Sequence, residues 1–207
     1  MSTTASSYTG TGAGKWLSEK DNERGILAVW MVIFTEACLF VAFFASYFML
    51  GNNKHRWAVD KPPSVRYALI LLVILVSSSF VMEWGKSQLE KGRPHMARII
   101  LLITFLMGLV FLGLQGYEYL NDWKSFTPVS DSYGSIFYTI TTFHAAHVVV
   151  GLLVILFVLF LPKVGRLSDS PYRPYHVATL YWHFVDVVWV FVVIILYVIP
   201  NGIAHVG

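Results

Sequence analysis

The chain has 207 residues, of which 56 % are hydrophobic and only 13 % charged, with a formal net charge of +3. Soluble domains carry about 25 % charged residues, so the composition excludes an ordinary soluble domain, and the apolar excess excludes disorder. The weak, scattered positive charge excludes a nucleic-acid footprint, and the single cysteine, Cys38, excludes an internal disulfide and any multi-cysteine metal site.

Residues 1–24 begin as a Ser/Thr/Gly/Ala stretch with no charge before Lys15 and no apolar run. They do not have the form of a signal peptide and read as a flexible tail. Five stretches then reach the ~20 apolar residues that a helix needs to cross a membrane. They cover residues 25–50, 65–84, 97–119, 135–161 and 177–199. The fold class is therefore an all-α membrane protein, with a five-helix transmembrane bundle over 25–200 and a short C-terminal tail, 201–207. Prolines punctuate the connections: Pro62 and Pro63, Pro128, Pro171 and Pro174, and Pro200. Trp57, Trp84, Trp123 and Tyr197 fall near the ends of spans, where interfacial aromatics belong.

Lys and Arg set the orientation. The tail (Lys15, Lys20, Arg24), the second connection (Lys86, Lys91, Arg93, Arg98) and the fourth (Lys163, Arg166, Arg173) carry ten. The first connection (Lys54, Arg56, Lys61, Arg66), the third (Lys124) and the C-terminus carry five. The N-terminus is expected inside and the C-terminus outside.

Ionisable groups in mid-membrane are costly, by roughly 2.5–3.5 kcal/mol on insertion scales, so each one is informative. The first helix holds Glu36, the fourth His144 and His147, the fifth His183 and Asp186. At about 1.5 Å per residue, Glu36, His147 and Asp186 lie ~14–18 Å deep, near the midplane. His144 and His147 share a helix face, as do His183 and Asp186. Three readings stand side by side. The groups bond across helices and fix the packing. Alternatively they relay protons or hold a lipid headgroup, with Glu36 the best candidate, either alone among apolar residues or paired with a histidine of another helix. The third reading is a metal site, which His-x-x-His alone signals weakly. His55, His95 and His205 fall in connections or the tail and His176 at a helix start, too few in the membrane for a haem or diiron centre.

Gln115, Glu118 and Tyr119 close the outer end of the third helix, as an interfacial cap or an interhelical bond. Glu83 beside Trp84 ends the second helix and is expected in solvent. Ser77, Ser78, Ser79 and Gly85 permit close helix approach, and Cys38 is a small packing residue. A stand-alone proton-coupled transporter using Glu36 and Asp186 as relay groups is a further possibility. The absence of an internal repeat and of paired broken helices speaks against it.

Four segments carry a family resemblance. LYWHFVDVVWV at 180–190, TFHAAHVVVG at 142–151, FTEACLFVAFFASYF at 34–48 and QGYEY at 115–119 resemble, in order, elements of haem–copper oxidase subunit III. The serine cluster at Ser77 has a counterpart there too, and the likeness covers about residues 24–200. It implies a subunit with no catalytic residue, haem, copper or other metal of its own, packed beside the catalytic subunit I of a proton-pumping terminal oxidase in a bacterial inner membrane. It also implies a role in stabilising subunit I, proton uptake through Glu36, phospholipid held in a cleft and a part in admitting oxygen. His144, His147, His183 and Asp186 inherit places in the packed bundle. Other oxidase subunits and a respiratory supercomplex are implied partners, while haem and copper belong to those partners. Cytochrome c oxidase is the first expectation; a quinol oxidase or a nitric-oxide-reductase-associated subunit is the alternative. Three departures matter. Two helices of the seven-helix members are missing, as in five-helix bacterial forms. Ala145 and Ala146 replace the family's Gly-Leu, and His176 stands where members often have a glutamate.

Overall fold

The structure, a computed structural model, describes residues 12–53, 63–123, 127–129, 132–160 and 172–200, with the backbone alone for 12–25, 52–53 and 172–173. Residues 1–11, the expected tail 201–207, the loop cations Lys54, Arg56, Lys61, Lys124, Lys163 and Arg166, and His55 and His205 lie outside the described residues. Five helices follow in order: α1 (Gly12–Asn53), α2 (Val65–Glu90), α3 (Pro94–Asp122), α4 (Ser132–Phe160) and α5 (Tyr172–Val192), which runs on as a π-helical segment, Val193–Val198. All five contain a stretch long and apolar enough to cross a membrane, and no strand occurs among the described residues.

Each helix reaches beyond its apolar run. The largest difference is in α1, where residues 12–24, expected as tail, form its first turns. An apolar-run criterion finds only the part of a helix that sits in hydrocarbon. The preceding Lys, Glu and Leu are good helix formers and continue it.

α2 and α3 form a tight antiparallel hairpin. Gly92 adopts φ 70°, a left-handed conformation that costs glycine nothing. Its N–H donates to the Leu89 carbonyl at 3.0 Å, and Arg93 N–H donates to the Gln88 carbonyl at 3.0 Å. This pair of bonds is the Schellman helix ending. Pro94 then opens α3, where its missing N–H is not needed.

α5 occupies the centre. Tyr175, Trp182, Trp189 and Leu196 recur every seven residues, two helical turns, and each is 1 % exposed or less. These large side chains seat on small residues of the neighbouring helices. A Cβ built at Gly108 of α3 would lie 2.8 Å from the Trp182 ring, and one at Gly151 of α4 would lie 2.9 Å from it. The indole Nε1 donates to Ser78 Oγ of α2 at 2.8 Å. Tyr175 lies over Gly85 and donates to the Met82 carbonyl at 3.0 Å. Glycine and serine thus let the backbones of α2, α3 and α4 close around α5. The π-helical segment loosens the backbone ladder of α5, and Tyr133 Oη of α4 donates to the Leu196 carbonyl there at 3.1 Å.

α1 is peripheral. It packs chiefly on α4 and α5, through Ile33, Phe40 and Tyr47, again seven apart. Trp30, Met31, Phe34, Val41 and Met49 face outward.

Candidate functional site

The expected polar groups separate into three places. The first joins α1 to α4. Glu36 lies between Ile33 and Phe40 in sequence, on the stripe that α1 turns inward. Its Oε2 lies 3.0 Å from His147 Nε2. The carboxyl is about one-third exposed, and the imidazole 13 %. His147 Nδ1 lies 2.7 Å from the Phe143 carbonyl. A carbonyl only accepts, so Nδ1 carries a proton. One further proton is then shared between Nε2 and Oε2, as neutral acid with neutral imidazole or as carboxylate with imidazolium. Either way the pair is neutral overall, which limits its cost in apolar surroundings. Phe40 packs edge-on to His147 at 5.2 Å between ring centroids. Tyr181 Oη of α5 donates to the His147 carbonyl at 3.4 Å.

His144, one turn earlier, does not join this pair. It is fully buried, stacked on Trp189 at 4.8 Å and edge-on to Phe111 at 5.9 Å. Neither ring nitrogen has a hydrogen-bond partner among the described residues. Its place is in the aromatic core.

The second place is the seam between α2 and α5. His183 Nε2 lies 3.6 Å from Glu83 Oε2, and Lys86 Nζ donates to Glu83 Oε1 at 2.8 Å. Glu83 is half exposed, as expected for a solvated residue, yet it also anchors His183. Asp186 is 7 % exposed and faces Ser79 of α2. His183 and Asp186 of α5 therefore face α2, while His147 of α4 faces α1. His144, His147, His183 and Asp186 thus make separate contacts.

The third place is the end of α3. Glu118 Oε2 accepts from Tyr197 Oη of α5 at 3.4 Å, an interhelical bond rather than a cap. Gln115 and Glu118 are 2 % and 3 % exposed. Tyr119 Oη lies 3.4 Å from Thr142 Oγ1 of α4.

Trp182, Trp189, Tyr197 and Asp122 take part without any mark in the pattern of intramembrane polar residues. The seven-residue recurrence of aromatics in α5 was the available signal for the first two. Among the described residues no group of three His, Cys, Asp or Glu is placed to hold a metal.

Comparison with known proteins finds a family and relatives that match most of the chain. A family profile described as cytochrome c oxidase subunit III matches residues 18–200. The probable cytochrome c oxidase subunit 3 of Nocardia farcinica is 34 % identical over 174 residues, covering 82 % of this chain and 86 % of the relative. The cytochrome c oxidase subunit 3 of Corynebacterium diphtheriae is 36 % identical over 191 residues, covering 86 % and 90 %. That of Thermostichus vulcanus is 32 % identical over 178 residues, covering 85 % and 88 %.

Proposed function

Because the chain belongs to the cytochrome c oxidase subunit III family, we propose that it is the accessory, non-catalytic subunit of a proton-pumping respiratory cytochrome c oxidase. It is a multi-pass protein of the bacterial cytoplasmic membrane. In this reading it packs against the catalytic subunit I, with the N-terminus inside, stabilises that subunit during turnover and supports its proton uptake. Haem and copper reside in the partner subunits. Phospholipid covers the outward apolar faces of α1 and α2, and membership of a larger respiratory assembly follows the same logic.

The observation that carries the functional part is the Glu36–His147 pair. A bond made only for packing does not need a titratable proton. This pair holds one between two helices, in a site that is one-third open on the carboxyl side. A carboxyl and an imidazole bonded across two helices are the groups from which intramembrane proton relays are built.

Glu36→Gln tests this directly. The glutamine amide still donates to His147 Nε2 and keeps the interhelical bond, while the acid proton is gone. The oxidase containing Glu36→Gln is expected to assemble, to show normal haem bands in its reduced-minus-oxidised spectrum, and to lose pumping or inactivate sooner in steady turnover. Glu36→Leu removes the bond too and is expected to weaken the attachment of α1 as well. Wild-type pumping and lifetime in Glu36→Gln would leave the pair with a packing role alone. A tagged chain that purifies from mild detergent without haem bands would sink the accessory-subunit reading.

A further inference from the structure

At the end of α3 several buried side-chain oxygen atoms meet no hydrogen-bond partner among the described residues. Gln115, Glu118 and Asp122 follow at spacings of three and four, along one face of the helix. Both amide atoms of Gln115, Glu118 Oε1 and Asp122 Oδ2 have no hydrogen-bond partner among the described residues. Gln115 is 2 % exposed. A buried amide with neither atom satisfied is rare and calls for a partner. Asp122 is near enough to Glu118 for their charges to repel, and no Lys, Arg or His among the described residues pairs with either.

Three unfavourable terms coincide here. The carboxylates are withdrawn from water. They repel each other. They also stand in the last turns of a helix, whose C-terminus is the negative end of its dipole. One positive ion relieves all three and gives the Gln115 carbonyl a partner. The donors are carboxylate, amide and hydroxyl oxygens, with no nitrogen or sulfur ligand. That set suits hard cations, and the irregular mixture with two negative charges suits calcium over magnesium. Asp122 is only partly buried while Glu118 and Gln115 lie deeper, so the charge becomes more enclosed from the rim inward, as an access route from solvent requires.

We propose that Gln115, Glu118 and Asp122, with the Tyr197 hydroxyl, form a binding site for a hard divalent cation of the calcium class. The ion would tie α3 to α5 at that end of the bundle, with water completing its coordination. The proposal is independent of the role of Glu36.

Terbium, a calcium substitute whose emission is sensitised by nearby tyrosine, is the probe. The full chain in non-ionic detergent is washed with chelator, titrated with terbium and excited in the aromatic band. Emission is expected to saturate with a single ion per chain and to be displaced by calcium. It should vanish in Glu118→Gln and Asp122→Asn, with Gln115→Leu weakening binding at least about tenfold. Far-UV circular dichroism establishes that the variants are folded. The second measurement needs no variant: calcium is expected to raise the wild-type unfolding midpoint above its value in chelator, dose by dose. Emission that persists in the folded Glu118→Gln and Asp122→Asn chains would mark surface sites and overturn the proposal. So would absent emission, or a midpoint indifferent to calcium.

Discussion

α1 and α5 both qualify as membrane spans, yet the bundle holds them by opposite means. In the most apolar stretch of α5, 56 % of residues are buried inside the protein; in that of α1, 6 % are. α5 is fastened by large rings seated on Gly85, Gly108 and Gly151 and by the Trp182–Ser78 bond. α1 is fastened by a narrow stripe, Ile33, Phe40 and Tyr47, and by the Glu36–His147 pair. Lipid tails are as apolar as leucine, so apolar surface alone does not draw helices together in a bilayer. Shape fit and hydrogen bonds do, and here the shape fit is concentrated on α5.

Several substitutions test that contrast. Trp182→Ala empties the contact among α2, α3, α4 and α5 and is expected to cost about 3–5 kcal/mol, measured by unfolding in detergent followed by circular dichroism. A loss under 1 kcal/mol, on the order of a surface change, would remove α5 from its central role. Gly151→Ala places a methyl against the rigid Trp182 ring and is expected to cost roughly 1–3 kcal/mol through overpacking. A neutral result would mean that α4 and α5 slide apart freely. For α1, a double-mutant cycle on Glu36→Leu and His147→Leu is expected to give a coupling of about 0.6 kcal/mol, and at most about 1.7. A coupling as large as the Trp182 effect would erase the contrast. Phe34→Ala, at a position 70 % exposed, is expected to change stability by no more than about 0.5 kcal/mol. A larger loss in the isolated chain would reveal an unrecognised contact on the outward face of α1.

The spans were legible because hydrocarbon thickness sets a length and hydrophobicity sets a composition. Glu36 meets a histidine of the fourth helix, one of the two arrangements its sequence left open. The choice of His147 over His144 was not legible. The two are three residues apart and share a face, and only the position of α1 against α4 decides which one Glu36 reaches. The same holds for His183 and Asp186, which face Glu83 and Ser79 of α2. Sequence periodicity gives direction around one helix but not the identity of the helix found in that direction. The start of α1 escaped for a different reason: residues 12–24 are polar, and no hydrophobic criterion marks a helix outside the membrane.

The placement of α5 has a consequence for biosynthesis. A ribosome delivers the helices in order, and α5 follows the four others. Until it arrives, the ledges at Gly85, Gly108 and Gly151 and the Ser78 hydroxyl have no ring or indole to receive. The α2–α3 hairpin can close early, because its turn is local and carries its own Gly92 and Pro94. The rest must wait as a loose set of inserted helices, and the passage of one late segment turns that set into a bundle. The interval between insertion of α4 and docking of α5 is therefore when a membrane protease or an insertion chaperone would meet the chain with its polar seams open.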